Sequence, residues 1–440
     1  MLKIRYLIRL IQAFLKKFKF ILLLSCFLGV LLFFLVKYIF PTFASSSSQR
    51  IGIVGKYRVE NLPTFILEQI GDGLTSVDET GTVTPNLAST WESSDGGKTW
   101  IFKLKDNLTW QDGKKLISGS INYQFSDLTI EKPDEKTFVF KLQTPYASFP
   151  SIVSKPIFKK GLLGTGEWQV AKITLSGSFV QEIKLTHKKD KKIIYRFYPT
   201  EETSKLAFKL GKVDILRSVF NPEPFVGWRI VTLEKQEELD KYIAVFFNTK
   251  DKYLSDKSLR QALSYAINKK QFDYPRAYGP LSPNSWVYNP QVKPYNLDQP
   301  RAKQLLRELP KEIKDSLNIS LSTSATLLPI AEAIGKNWEE VGVKTRVKVE
   351  TGLPNEYQAI LVIFDIPKDP DQYAIWHSTQ SQVNISKYFN PRIDKLLEDG
   401  RTILDQEERR KIYLDFQRFL VEDAPAAFLY HPVSYTIKRK

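Results

Sequence analysis

From Phe20 to Val36 the chain reads FILLLSCFLGVLLFFLV without a charged residue, and Tyr38, Ile39 and Phe40 continue the apolar run beyond Lys37. A helix needs about 20 such residues to cross the hydrocarbon of a bilayer. Residues 20–40 are therefore expected to form a transmembrane anchor. Lys3, Arg5, Arg9, Lys16, Lys17 and Lys19 precede the run, Lys37 lies near its end, and no Asp or Glu occurs in the first forty residues. Basic flanks stay on the cytoplasmic side, so residues 1–19 are expected inside and everything after Phe40 outside. A cleaved signal peptide is the alternative, with Thr42-Phe43-Ala44 offering small residues in the spacing a peptidase uses. Cys26, preceded by Leu23-Leu24-Ser25, faintly resembles a lipoprotein site, but the apolar residues after it would make an odd start to a mature chain. It is the only cysteine. The outer part is thus expected to hold no disulfide and to run no thiol chemistry.

Residues 41–50 form the expected linker, with Ala44 to Gln49 (ASSSSQ) as a polar tether and the fold starting near Ile51. A chain of 440 residues, 42% hydrophobic and 13% aromatic, can bury a large core divided into two or three substructures. The net charge of +16 falls to +9 once the seven basic residues of the first forty are set aside. That excess is spread along the chain, which gives no reason to expect a nucleic-acid partner.

The hydrophobic period then divides the outer chain in two. Trp100, Phe102 and Leu104 share one face of an alternating segment, and Phe138, Phe140 and Leu142 share another. These are strands, with Asp95-Gly96-Gly97 and Asp112-Gly113 as turn signals. Beyond about residue 250 the period becomes helical. Leu259, Ala262, Leu263, Ala266 and Ile267 form one stripe; Ile330, Ile334, Trp338 and Val341 form another that stops at Gly342. Val343, Thr345, Val347 and Val349 alternate with basic residues as a strand, and Asp405 with Glu408 three residues on marks the start of a further helix. A strand-rich part is thus followed by an α/β part.

Several segments, in order, resemble the oligopeptide and dipeptide solute-binding proteins of ABC importers, the family 5 extracellular binding proteins. They are Gly73-Leu74, Pro85 to Trp91 (PNLASTW), Asp95 to Leu104 (DGGKTWIFKL), Trp110 to Gly113 (WQDG), Gly164 to Trp168 (GTGEW), Gly211 to Ile215 (GKVDI), Phe246 to Thr249 (FFNT), Leu259 to Ile267 (LRQALSYAI) and Asp369-Pro370-Asp371. The resemblance covers nearly everything from about 55 to 432. It implies an α/β, two-lobed periplasmic-binding-protein fold of the large type II class, here preceded by one N-terminal transmembrane helix. Lobe 1 is expected over 51–245, with a shortened subdomain near 114–137, lobe 2 over 246–427, and a return to lobe 1 over 428–440. The first crossing is expected at the Tyr242 to Asn248 strand and the return near Ala426 to His431. The resemblance further implies a peptide or other small solute held between the lobes, an ABC permease as partner, and an Asp near the Asp-Pro pair that holds a ligand's amino group. The ungapped position of that Asp falls on Ile366, and Asp365 stands one residue away.

The ligand-binding candidates are accordingly Phe364, Asp365, Tyr373 and Trp376. For Tyr373 and Trp376 a place in the core of a short helix is the other reading, with Asp371 as that helix's cap. Asp365 closes an apolar strand, where a charge needs a partner. Trp91, Trp100 and Trp110 are expected in the core rather than the cleft. Gly164-Thr165-Gly166 lacks the third glycine and the following helix of a phosphate loop and is expected to be a tight turn. His187, His377 and His431 have no metal-ligand spacing, so no metal or other cofactor is expected. No GxSxG or similar nucleophile arrangement occurs, and no enzyme activity is expected.

Overall fold

The computed structural model describes residues 2–34 and 48–440. The end of the apolar run and most of the expected tether lie outside the described residues. Leu2–Phe34 is helical, and its apolar side chains, among them Phe20, Leu23, Phe27 and Leu32, are exposed. Among the described residues no single helix is long and apolar enough to cross a membrane; Phe14–Ile21 and Leu23–Phe34, bent by 41° relative to each other, meet the requirement together.

The folded part begins earlier than its composition implies. Ser48, Gln49 and Arg50 open the strand Ser48–Val54, which pairs in parallel with Lys192–Tyr198, Ser48 standing opposite Lys192. Arg50 also forks onto Asp214 at 2.6 and 2.7 Å. A polar run becomes strand here because neighbouring backbone satisfies its amides and carbonyls, so the tether loses its last residues to the fold.

Lobe 1 is built on a seven-stranded sheet in the order Val231–Glu237, Val433–Arg439, Ile215–Val219, Ser48–Val54, Lys192–Tyr198, Phe179–His187, Trp168–Ser176. Its register places Ser48, Lys192, Ile215, Lys438 and Val231 towards one end of the sheet. Val54, Tyr198, Val219, Val433 and Glu237 lie at the other. A four-stranded antiparallel sheet forms the subdomain of lobe 1, with Thr99–Leu104 paired to Thr137–Leu142 so that Trp100 faces Phe140 and Phe102 faces Phe138. Of the alternating faces expected there, Trp100, Leu104, Phe102, Phe138 and Phe140 are buried, the last three completely, and Leu142 is partly buried.

Lobe 2 contains a five-stranded sheet ordered Lys344–Val349, Asn318–Thr323, Ala359–Asp365, Lys241–Phe247, Ala426–Tyr430. Lys241–Phe247 is apolar at six consecutive positions because both its faces are covered. Ile243, Val245 and Phe247 enter one core, with Leu263, Ile334 and Trp338 from the helices Lys257–Ala266 and Leu328–Glu340. Tyr242, Ala244 and Phe246 enter the opposite core, with Trp376 and with Tyr413, Phe416 and Leu420 of the helix Gln406–Asp423. Gly342 follows the first of these layers at φ +96°, and Asp405 caps the last helix by accepting from the Glu408 amide at 2.8 Å.

Candidate functional site between the lobes

The whole strand Lys241–Phe247 belongs to the second sheet and Val433–Arg439 to the first. The crossings are therefore the short links 238–240 and 431–432 at the strand ends, rather than the strands themselves. They lie side by side: the Glu238 amide donates to Pro432 O at 2.9 Å, His431 Nδ1 donates to Lys241 O at 2.6 Å, and the Ser434 hydroxyl donates to Glu238. Two adjacent links with few residues each are the geometry of a hinge.

At this hinge Lys241 stands directly opposite Asp365 across the sheet, with Nζ 3.6 Å from Asp365, 3.4 Å from Asp240 and 3.8 Å from Glu238. Burial works against the Lys241 charge, but Asp240, Asp365 and Glu238 outweigh it and hold its pKa above the ordinary lysine value. From lobe 1 the half-buried Tyr57 comes within electrostatic reach of the same group. Burial raises its phenol, Lys241 lowers it and Asp365 raises it again. Asp365 thus sits beside the hinge where the lobes meet, its side chain 86% exposed.

The other three candidates separate. Phe364 stacks on Tyr242 with ring centroids 5.4 Å apart and touches Phe246 at 5.7 Å, so it belongs mainly to the second core. Trp376 is fully buried against Phe246 and Phe428. Its assignment as a ligand contact is corrected to a core role: its helix, Tyr373–Trp376, lays this face on the sheet. Tyr373 stacks on His377 at 4.0 Å and lies under the Arg401 guanidinium at 4.2 Å. It lines an inter-lobe cavity of about 560 Å³ with Tyr146, Phe125 and Arg401.

The Asp-Pro-Asp loop does more than cap that helix. Asp371 does accept from the Tyr373 amide at 3.0 Å, but its other oxygen takes the Tyr146 hydroxyl of lobe 1 at 2.9 Å and Arg401 Nε at 3.0 Å. Asp369 takes the Ser148 hydroxyl of lobe 1 at 2.8 Å and Arg409 at 2.9 Å, and Arg409 also donates to Ser148. Burial opposes the Arg409 charge, yet neighbouring Asp369 raises its pKa overall. Nearby, Gly81 carries φ +85° and lies so close to Lys368 O that a Cβ would meet it at 2.4 Å, which only glycine satisfies. These contacts clasp the subdomain of lobe 1 to lobe 2. Beside them a second cavity of about 240 Å³ is lined by Trp91, Trp100, Trp286, Asp369 and Arg409. Trp110 is core as expected, whereas Trp91 and Trp100 also face this space.

Sequence reasoning missed Tyr146, Ser148, Arg401 and Arg409. The nearest signal was the three-carboxylate density of the loop, which requires cations from elsewhere. Gly164-Thr165-Gly166 is a close-packed turn: a Cβ on Gly164 would meet Ile70 O at 2.1 Å. The histidines serve separate places, His187 beside Glu167, His377 beside Thr379 and His431 in the hinge, and no cluster of potential metal ligands occurs among the described residues.

Two lobes joined by paired links around inter-lobe cavities define the periplasmic-binding-protein class, and solved structures agree on the fold. NikZ from Campylobacter jejuni, determined with Ni(L-His), superposes with a TM-score of 0.75 at 21% identity over 89% of this chain and 94% of that one. The chain belongs to the bacterial extracellular solute-binding proteins, family 5: the profile described as "Bacterial extracellular solute-binding proteins, family 5 Middle" matches residues 82–125 and 117–384. Among curated proteins it is similar to the oligopeptide-binding protein AppA of Bacillus subtilis, 24% identical over 86% of this chain and 83% of the relative. It is also similar to the dipeptide-binding protein of Escherichia coli, 24% identical over 81% and 82% respectively. Membership makes this a solute-binding protein rather than an enzyme.

Proposed function

We propose that this protein is held on the outer face of the cell membrane by residues 20–40, captures a short peptide between its lobes and passes it to an ABC permease. The acidic cluster at the hinge carries the peptide reading. Glu238, Asp240 and Asp365 surround one ammonium, Lys241, which leaves unmatched negative charge where the lobes meet. A peptide's amino terminus complements that excess, and lobe closure strengthens the pairing by excluding water. Relatives named for oligopeptide and dipeptide binding support the same reading. Anchoring is supported by the apolar helix with its basic flank and exposed apolar side chains.

Replacing Asp365 by Asn keeps the shape and removes the charge. It should weaken binding of a peptide with a free amino terminus by about 1.5 to 3 kcal/mol, the range for hydrogen bonds to charged groups, and leave the amino-acetylated peptide nearly unchanged. Isothermal titration of both ligands with both proteins closes the cycle. Equal losses would assign Asp365 to the fold, and wild-type binding of the acetylated peptide as tight as that of the free one would show that no amino terminus is read there.

A further inference from the structure

We infer that the end of lobe 1 opposite the hinge is a membrane-docking surface that lies on anionic lipid headgroups, a reading that rests on the anchoring proposed above. The seven-stranded sheet gathers four chain segments at the end where Ser48 enters. These are the turn 188–192 beside Ser48 itself, the turn 210–214 beside Arg50, the loop 225–230 leading into Val231, and the closing residues Lys438 to Lys440.

The loop and the neighbouring helix Glu201–Lys209 expose large apolar side chains: Leu206, Leu210, Val226, Trp228 and Ile230. The helix and the loop are packed together beneath them, since buried Phe208 of the helix contacts buried Phe225 at 5.0 Å and Phe225 contacts Trp228 at 5.1 Å. The Lys440 amide donates to Ile230 O at 3.0 Å and ties the last strand to the same place. Around these apolar side chains the exposed charges are mainly basic. The turn reads Lys188-Lys189-Asp190-Lys191-Lys192, and Lys209, Lys212 and Arg229 continue the collar. Against these cations stand Asp190, the exposed Glu202 and Glu223 and, paired with Arg50, Asp214, so the balance of this end remains basic. Exposed tryptophan and aliphatic side chains set among lysines and arginines match a headgroup layer over acyl chains.

The chain's own path selects this occupant over a protein partner. The seven residues from Pro41 to Ser47 connect the apolar run to the first strand, and fully extended they reach only about 25 Å. Whatever surface surrounds Ser48 is therefore held beside the membrane, and the patch is that surface. The hinge lies at the other end of the sheet, one strand length of about 23 Å away, so docking leaves the links 238–240 and 431–432 clear of the lipid surface.

Hydrogen exchange on the full chain in nanodiscs tests this, with phosphatidylglycerol-rich discs compared with pure phosphatidylcholine. Amides of Val226 to Ile230 should exchange about tenfold more slowly or better on the anionic discs than on the neutral ones. High salt, or the combined variant Trp228→Ser with Lys189→Gln and Lys191→Gln, should abolish the difference while the five-stranded sheet keeps its protection. Equal exchange on both disc types, or protection that requires added permease, would overturn the docking surface. Failure of the chain to remain with the discs at all would instead overturn the anchoring, which separates the two readings.

Discussion

His431 ties the two crossings together through a single donated hydrogen bond, from Nδ1 to the Lys241 carbonyl, and it is 2% exposed. Burial pushes its pKa below the ordinary 6.5; the Lys241 carbonyl, Glu237 and Asp240 pull upwards, and Arg276 adds to the lowering. A ring whose folded pKa is depressed takes its proton more readily in the unfolded chain. Its contribution to stability is therefore complete above about pH 6.5 and is lost as the pH falls through the folded value. His431→Asn keeps an N–H donor without the titration. Urea midpoints followed from about pH 7.5 down to 5, the window of histidine titration, should fall more steeply for the wild type than for the variant. Parallel slopes would remove His431 from the hinge's acid response.

Among the elements, those of the sheets could be read from the sequence because their signals are local. Six consecutive apolar residues after Lys241 state that both faces of a strand are covered, and the alternation of Trp100, Phe102 and Leu104 states that one face is. The clasp was illegible because its partners come from distant elements: Tyr146 and Asp371 are 225 residues apart, and Arg401 and Asp371 are 30 apart. Trp376 was ambiguous for another reason, since a short helix presents the same residue types to a core and to a ligand. At the clasp, Asp369→Asn strands the Arg409 guanidinium in an almost closed site, and loss of one partner of a buried pair costs about 3 to 5 kcal/mol. Replacing both, as Asp369→Leu with Arg409→Met, removes the stranded charge and should recover much of that loss. Chemical denaturation of the single and double variants measures it, and additive losses would show that the two groups act independently.

Taken whole, the molecule has a hinge at one side of the mouth, 238–240 beside 431–432, and a polar clasp between the lobe 1 subdomain and lobe 2. With the clasp engaged, the cavities of about 560 and 240 Å³ lie between the lobes, and the larger is within the size range of small-molecule sites. Both open to solvent, and a ligand that enters them favours the engaged state only through contacts with both lobes. Residues 48–440 without ligand should therefore be more expanded in solution than the clasped structure, and peptide should compact them. Binding only to the folded state should also add about 2.7 kcal/mol of stability at a hundredfold excess over Kd. Small-angle scattering and thermal melting on the same samples decide the point. The Asp369→Leu, Arg409→Met variant should stay more expanded at equal peptide occupancy. If neither protein changes its radius of gyration while titration shows binding, the clasp is a permanent joint and the solute enters a rigid body.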